Sequence, residues 1–217
     1  MKFITMNHRL GRYLSRMHSA ATDPLLAELR RETNRLGEVS ICQISEEQGT
    51  FLSILVAALG VRSALEIGTF TGYSSVCIAR ALGRGGRLLC LDQSEEWTDI
   101  ARKYWAKARL DGRVELRLGP ALTSLRQLER KLTFDFVFID AEKTQYEAYY
   151  EAVLPRVRRN GLILFDNMLW RGRVARRPLA HPAARAVDAL NQKLARDPRV
   201  EAVLLSIADG LQLCRKL

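Results

Sequence analysis

Phe134-Asp135-Phe136-Val137-Phe138-Ile139-Asp140-Ala141-Glu142-Lys143 carries the first clear instruction in this chain. The apolar run Phe136-Val137-Phe138-Ile139 is short and rich in β-branched and aromatic residues, which suits a strand buried on both faces. It stops at Asp140, so a carboxylate would stand on the carboxyl edge of a sheet. Ligands bind along that edge in open α/β sheets. Taken alone, the stretch also allows a plainer role, with Asp140 capping the next helix and Lys143 in solvent. The surrounding chain decides between them.

Strands and helices alternate outward from this point, which predicts a mainly parallel sheet with helices on both faces. Upstream, a strand at 63–67 leads through Gly68-Thr69-Phe70-Thr71-Gly72 into a helix over 73–82. A second strand at 87–91 ends on Asp92, and Val114, Leu116 and Leu118 alternate as a third. Downstream, Asn160-Gly161 reads as a turn into a fifth strand at 162–165, ending at Asp166-Asn167. Val200 to Cys214 reads as an antiparallel hairpin turning at Asp209-Gly210.

Ser45-Glu46-Glu47-Gln48 has the capping-box spacing, with Gln48 expected to reach back to Ser45. Asp23-Pro24 opens an earlier helix. Leu10, Tyr13, Leu14 and Met17 share a helical face before it. These N-terminal helices, over about 1–40, are expected to cover a substrate pocket or a dimer contact.

With 217 residues, 47% of them hydrophobic, the chain suits a single domain over 1–217. No apolar run approaches a membrane span, and the N-terminus lacks the apolar core of a signal peptide; a cytoplasmic protein is expected. Cys42, Cys77, Cys90 and Cys214 are scattered, which suits reduced, largely buried thiols and opposes a zinc site. The net charge of +10 is compatible with an acidic partner or RNA, and its one dense basic cluster is Arg171, Arg173, Arg176 and Arg177.

Polar chemistry thus falls at successive strand ends. The glycine turn after Glu66 is not the G-x-G-x-x-G fingerprint, and a carboxylate before it suits hydroxyls or an ammonium better than a pyrophosphate. Asp92 stands where a ribose diol is commonly held. Both fit S-adenosylmethionine. Asp140, Asp166 and Asn167 offer oxygen donors, which favour Mg²⁺, Ca²⁺ or Mn²⁺; an Asx turn is the local alternative at Asp166-Asn167.

L-E-I-G-T-F-T-G-Y-S (65–74), F-D-F-V-F-I-D-A-E-K (134–143), D-N-M-L-W-R-G-R-V (166–174) and A-D-G-L-Q-L-C-R-K (208–216) together resemble the cation-dependent O-methyltransferases of the caffeoyl-CoA and catechol type. The resemblance runs from about Ser45 to the C-terminus. It implies a Rossmann-like, doubly wound sheet of seven strands with a C-terminal hairpin, the class I S-adenosylmethionine-dependent fold. It implies that cofactor held at Glu66, Gly68, Thr69, Ser74, Asp92, Ala121 and Asp140, with Ile44 and Glu142 nearby. It also implies a divalent cation on Asp140, Asp166 and Asn167, Lys143 as proton acceptor, a small phenolic substrate and a homodimer. Some bacterial relatives methylate a hydroxylated uridine in tRNA, a second expectation for the substrate; a non-catalytic cofactor-binding protein is a third. Departures from the family pattern are Ile44, Glu142 for the usual Asp, and Asn160 for a common glycine.

Overall fold

A computed structural model describes residues 7–217, so the expectations for Met1 to Met6 lie outside the described residues. Seven strands form one sheet: β1 (Ser63–Ile67), β2 (Arg87–Asp92), β3 (Val114–Leu118), β4 (Phe134–Ile139), β5 (Val157–Phe165), β6 (Val200–Leu205) and β7 (Leu211–Lys216). Their order is β3-β2-β1-β4-β5-β7-β6, parallel except for β7, which runs antiparallel to both β5 and β6. The strand order reverses between β1 and β4, and ligands bind at such a switch point.

Period-2 alternation divides the core in two. Ala64, Leu88, Cys90, Phe136, Phe138, Leu162 and Leu164 face a cluster with Leu29, Leu52, Val56, Val76 and Tyr104. These come from α2 (Pro24–Asn34), α3 (Glu46–Ala58), α4 (Tyr73–Ala81) and α5 (Glu95–Lys107). Leu65, Leu89, Val137, Ile139, Ile163 and Phe165 face the other cluster, with Leu125, Tyr146, Tyr150, Val187 and Leu190. These belong to α6 (Ala121–Gln127), α7 (Tyr146–Val153) and α8 (Pro182–Leu194). Truncating a buried phenylalanine such as Phe136 or Phe138 would cost about 3–5 kcal/mol. Among the described residues no helix is long and apolar enough to cross a membrane.

Three local expectations change. Asn160-Gly161 does not precede β5; it lies inside it as a bulge, with Asn160 at φ 61° and the β4 register shifting between Phe134 and Phe136. A Cβ on Gly161 would meet Val157 Cγ1 at 2.6 Å, so the bulge needs glycine there. The apolar face of the first helix is not packed inward. α1 (His8–Leu14) stops before Met17, and Tyr13, Leu14 and Met17 are exposed. Cys42 is exposed as well, whereas Cys77, Cys90 and Cys214 are buried.

The helix starts follow their caps. Asp23 Oδ1 accepts from the N–H groups of Leu25 and Leu26, and Asp23 Oδ2 pairs with Arg80 at 2.6 Å, tying α2 to α4. Glu32 takes Lys103 Nζ and the Tyr104 hydroxyl, each at 2.7 Å, tying α2 to α5. Glycine at 49 lets α3 approach α4: an added Cβ would lie 2.7 Å from Tyr73 Cε1 and 3.0 Å from Cys77 Sγ. Alanine normally stabilises a helix interior relative to glycine. Here Gly49→Ala should instead lower stability by about 1–3 kcal/mol through overpacking. A fall in the urea midpoint is the expected result; a rise would mean that the α3–α4 contact yields freely.

Candidate active site

Backbone hydrogen bonds continue one residue past the parallel strands and bring their polar ends level. Gly68 N donates to Leu91 O (2.9 Å), Asp140 N to Ile67 O (2.8 Å), Asp166 N to Ile139 O (3.0 Å) and Gly119 N to Asp92 O (2.8 Å). Glu66, Asp92, Asp140 and Asp166 follow the even-numbered residues of their strands, whose side chains face α3 and α4. Asp92, Asp140 and Asp166 open on a cavity of about 1020 Å³ that runs along the carboxyl edge.

One end is built by the glycine turn. Gly68 has φ 88°, and a Cβ there would stand 1.9 Å from Asp140 O, so no other residue fits. Asp92 Oδ2 accepts from the N–H groups of Thr69 (2.8 Å) and Phe70 (2.9 Å), and its Oδ1 from Ser94 N (2.8 Å). Oδ1 keeps a further acceptor site. Phe70 and Trp97 meet edge to face at 5.0 Å and, with Gly119 and Ala121, give this end apolar walls. Ile44 and Ser74 also line the cavity.

Glu66 sits differently from the other acids. It is fully buried, outside the cavity wall, and Cys90 Sγ donates to its Oε2 at 3.4 Å. Burial pushes its carboxyl up to about 8, only partly offset by the nearby polar groups of Ser74, Cys90 and Thr69. Its Oε1 and the Thr69 hydroxyl are buried without partners.

At the other end, Lys143 Nζ donates to Asp140 Oδ1 at 2.7 Å and lies 5.0 Å from the Tyr146 ring centroid. Lys143 opens a 3₁₀ turn, Lys143–Gln145, capped by Glu142, whose Oε1 accepts from Thr144 N (3.1 Å) and Thr144 Oγ1 (2.9 Å). The Thr144 hydrogen bonds hold the Glu142 carboxyl below its ordinary range. Asp166 is nearly inaccessible, and its Oδ1 accepts from Asn167 N at 2.6 Å. Burial, then the neighbouring Asp140, push its carboxyl up to about 7. Asn167 sits at φ 57°, the left-handed region that asparagine tolerates, and lines the cavity beside both aspartates.

The structure therefore brings Asp140, Lys143, Asp166 and Asn167 to one end of the cavity, with Asp92, Gly68, Thr69 and Ala121 towards the other. Sequence reasoning passed over several wall residues: Gln48, Phe70, Trp97, Trp170 and His181. Trp170 and His181 pack at 5.7 Å between ring centroids, and Trp170 Nε1 is buried without a partner. Trp170 lay inside a quoted motif but carried no chemistry of its own there.

This topology, with a glycine turn after the first strand and acidic ends on the next, defines a S-adenosylmethionine-dependent methyltransferase of the doubly wound class. The residues suit that cofactor: an aromatic-walled end beside Asp92 for base and diol, and an unsatisfied hydroxyl at Thr69 in the wall. Comparison with known proteins places it further. The sequence model of the O-methyltransferase family matches residues 16–217. A probable caffeoyl-CoA O-methyltransferase of Dictyostelium discoideum is 41% identical over 92% of this chain and 88% of its own. A Petunia hybrida caffeoyl-CoA O-methyltransferase is 37% identical over 82% of this chain and 78% of its own. An O-methyltransferase of Bacillus cereus in complex with SAH superposes with a TM-score of 0.87 at 35% identity, covering 96% of this chain and 97% of that one. TomG of Streptomyces achromogenes, in complex with SAM, gives 0.88 at 27% identity, covering 98% and 99%. The chain belongs to the O-methyltransferase family and is a S-adenosylmethionine-dependent O-methyltransferase of the caffeoyl-CoA type.

The buried Glu66 gives a stability prediction for the protein without cofactor. The folded state keeps this proton to about pH 8, whereas the unfolded chain releases it near the ordinary 4.5. Between those values the folded state binds more protons, so Glu66 makes stability fall as pH rises. Glu66→Gln should flatten the decline in urea midpoint between pH 5 and pH 8. Parallel profiles for the two proteins would show that Glu66 is ionised in the fold.

Proposed function

We propose that this enzyme methylates a hydroxyl of a small catechol-like phenol, using a divalent cation held by Asp140, Asp166 and Asn167. The observation that carries this reading is the level placement of two carboxylates and an asparagine amide in one cavity, with Lys143 Nζ 2.7 Å from Asp140. The donor set fits a hard cation: all three residues offer oxygen, and Asp166 is buried with no ion pair of its own among the described residues. A cation held by these three residues would supply Lewis acidity to the substrate hydroxyl. Bound S-adenosylmethionine supplies a methyl group on a positively charged sulfur.

The chain's own residues do the rest. Trp170 and His181 flank the cavity with flat aromatic surface for a phenolic ring. Arg171 and Arg173 line it too and have no carboxylate partner among the described ion pairs, leaving them free for an acidic substituent. Lys143 accepts the phenolic proton as the O–H bond breaks; the oxygen bonds to the methyl carbon as the S–CH₃ bond breaks, leaving a neutral thioether. To accept, Lys143 must be neutral, so its ion pair with Asp140 has to loosen when the site fills. General base catalysis of this kind contributes about 10²–10⁴-fold.

The expected assay result is transfer of labelled methyl to a catechol with Mg²⁺ present, reduced about 10²–10⁴-fold by Lys143→Ala with cofactor affinity retained. Full activity in Lys143→Ala would remove it as the base. Transfer to bulk tRNA and to no catechol would reassign the substrate, and transfer to neither would point to a non-catalytic role. We also propose a homodimer built on the exposed apolar side chains Tyr13, Leu14, Met17, Ile41 and Ile54. Light scattering should give twice the chain mass, and Met17→Lys should lower it; a monomer at micromolar concentration would contradict this.

A further inference from the structure

Asp209 has no part in the reading above, although it lines the cavity. In the sequence it is half of the turn between β6 and β7, where an aspartate side chain commonly bonds its own backbone. Here it does not. The turn closes through Gly210 N, which donates to Ile207 O at 2.8 Å, and the Asp209 carboxylate makes no hydrogen bond within its own hairpin among the described residues. Its Oδ1 instead accepts from Arg171 N at 2.5 Å, in the loop that follows β5.

That loop needs holding. Trp170, Arg171 and Gly172 have φ of 46°, 54° and 72°, three left-handed residues in succession, of which only the last is glycine. A bulky residue at positive φ is strained, and it persists only where its surroundings over-determine it. The hairpin turn supplies those surroundings. Leu169 N donates to Asp209 O at 2.8 Å and Met168 N to Gly210 O at 2.9 Å. A Cβ on Gly210 would stand 2.5 Å from Leu169 Cγ, so turn and loop are in direct contact. Among the described residues, the Asp209 carboxylate makes the one side-chain hydrogen bond to the backbone of the left-handed stretch itself. The stretch it holds carries Trp170 and Arg171 into the cavity wall, with Trp170 packed on His181.

We propose that Asp209 is a positioning residue for the substrate end of the site. By accepting from Arg171 N it fixes the left-handed turn, and the turn keeps the Trp170 ring in place as a wall for the substrate ring. The inference rests on the reading of that wall as the phenol pocket.

The test compares wild type with Asp209→Ala, which loses the acceptor, and Asp209→Asn, which keeps it at Oδ1. KM and kcat are measured with 3,4-dihydroxybenzoate at saturating S-adenosylmethionine and Mg²⁺, with SAH affinity and the urea midpoint alongside. Trp170 emission is taken as the difference between each protein and its Trp170→Phe counterpart. Asp209→Ala should raise KM about 10-fold, as expected for one lost hydrogen bond to a charged group. Its kcat and SAH affinity should stay unchanged, the signature of lost substrate binding alone. Its Trp170 emission should move to longer wavelength as the ring meets water, and Asp209→Asn should restore both KM and emission. A merely structural Asp209 would lower the urea midpoint with KM and Trp170 emission at their wild-type values, and that overturns the proposal. So does Asp209→Asn as impaired as Asp209→Ala. Wild type that methylates no catechol overturns the phenol reading, and Trp170 emission then still decides whether Asp209 holds the loop.

Discussion

Everything at this site depends on the in-register parallel pairing of β2, β1, β4 and β5. Because Ile67 aligns with Ile139, and Ile139 with Phe165, the residue after each strand falls at one level. Because side chains alternate, the even-numbered positions of these strands point to the α3 side. A one-residue slip of β4 would turn Asp140 to the α7 side and put Val137 and Ile139 in the wrong core. The same pairing that buries Phe136 and Phe138 therefore aims the candidate ligand residues. Core and site are one constraint.

That constraint gathers negative charge, and the fold handles each carboxylate in its own way. Asp92 spends Oδ2 on backbone N–H groups of the glycine turn and Oδ1 on that of Ser94. Asp140 is neutralised by Lys143. Asp166, which forms no ion pair among the described residues, is pushed up by burial and by Asp140, and Glu66 is pushed higher still.

Much of this was legible in the sequence. Strand ends were readable because apolar runs stop sharply at Asp92, Asp140 and Asp166, and the hairpin because alternation flanks Asp209-Gly210. The bulge at Asn160-Gly161 was not, since a turn and a bulge both call for a residue with positive φ, and only the pairing of 157 with 134 separates them. The end of α1 before Met17 was not readable either, since the spacing of Leu10, Tyr13, Leu14 and Met17 continues past the point where the helix stops. Gln48 was hidden by a local pattern that explains it adequately until its burial is known. Trp170 and His181 join the wall through a loop whose path no periodicity encodes.

The central claim is that the aligned strand ends hold a cation on which turnover depends. The most direct measurement is the initial rate of methyl transfer to a catechol after chelator treatment, as Mg²⁺ is added back. The account predicts negligible rate in excess EDTA and saturable recovery with Mg²⁺. Undiminished turnover in excess EDTA would contradict it.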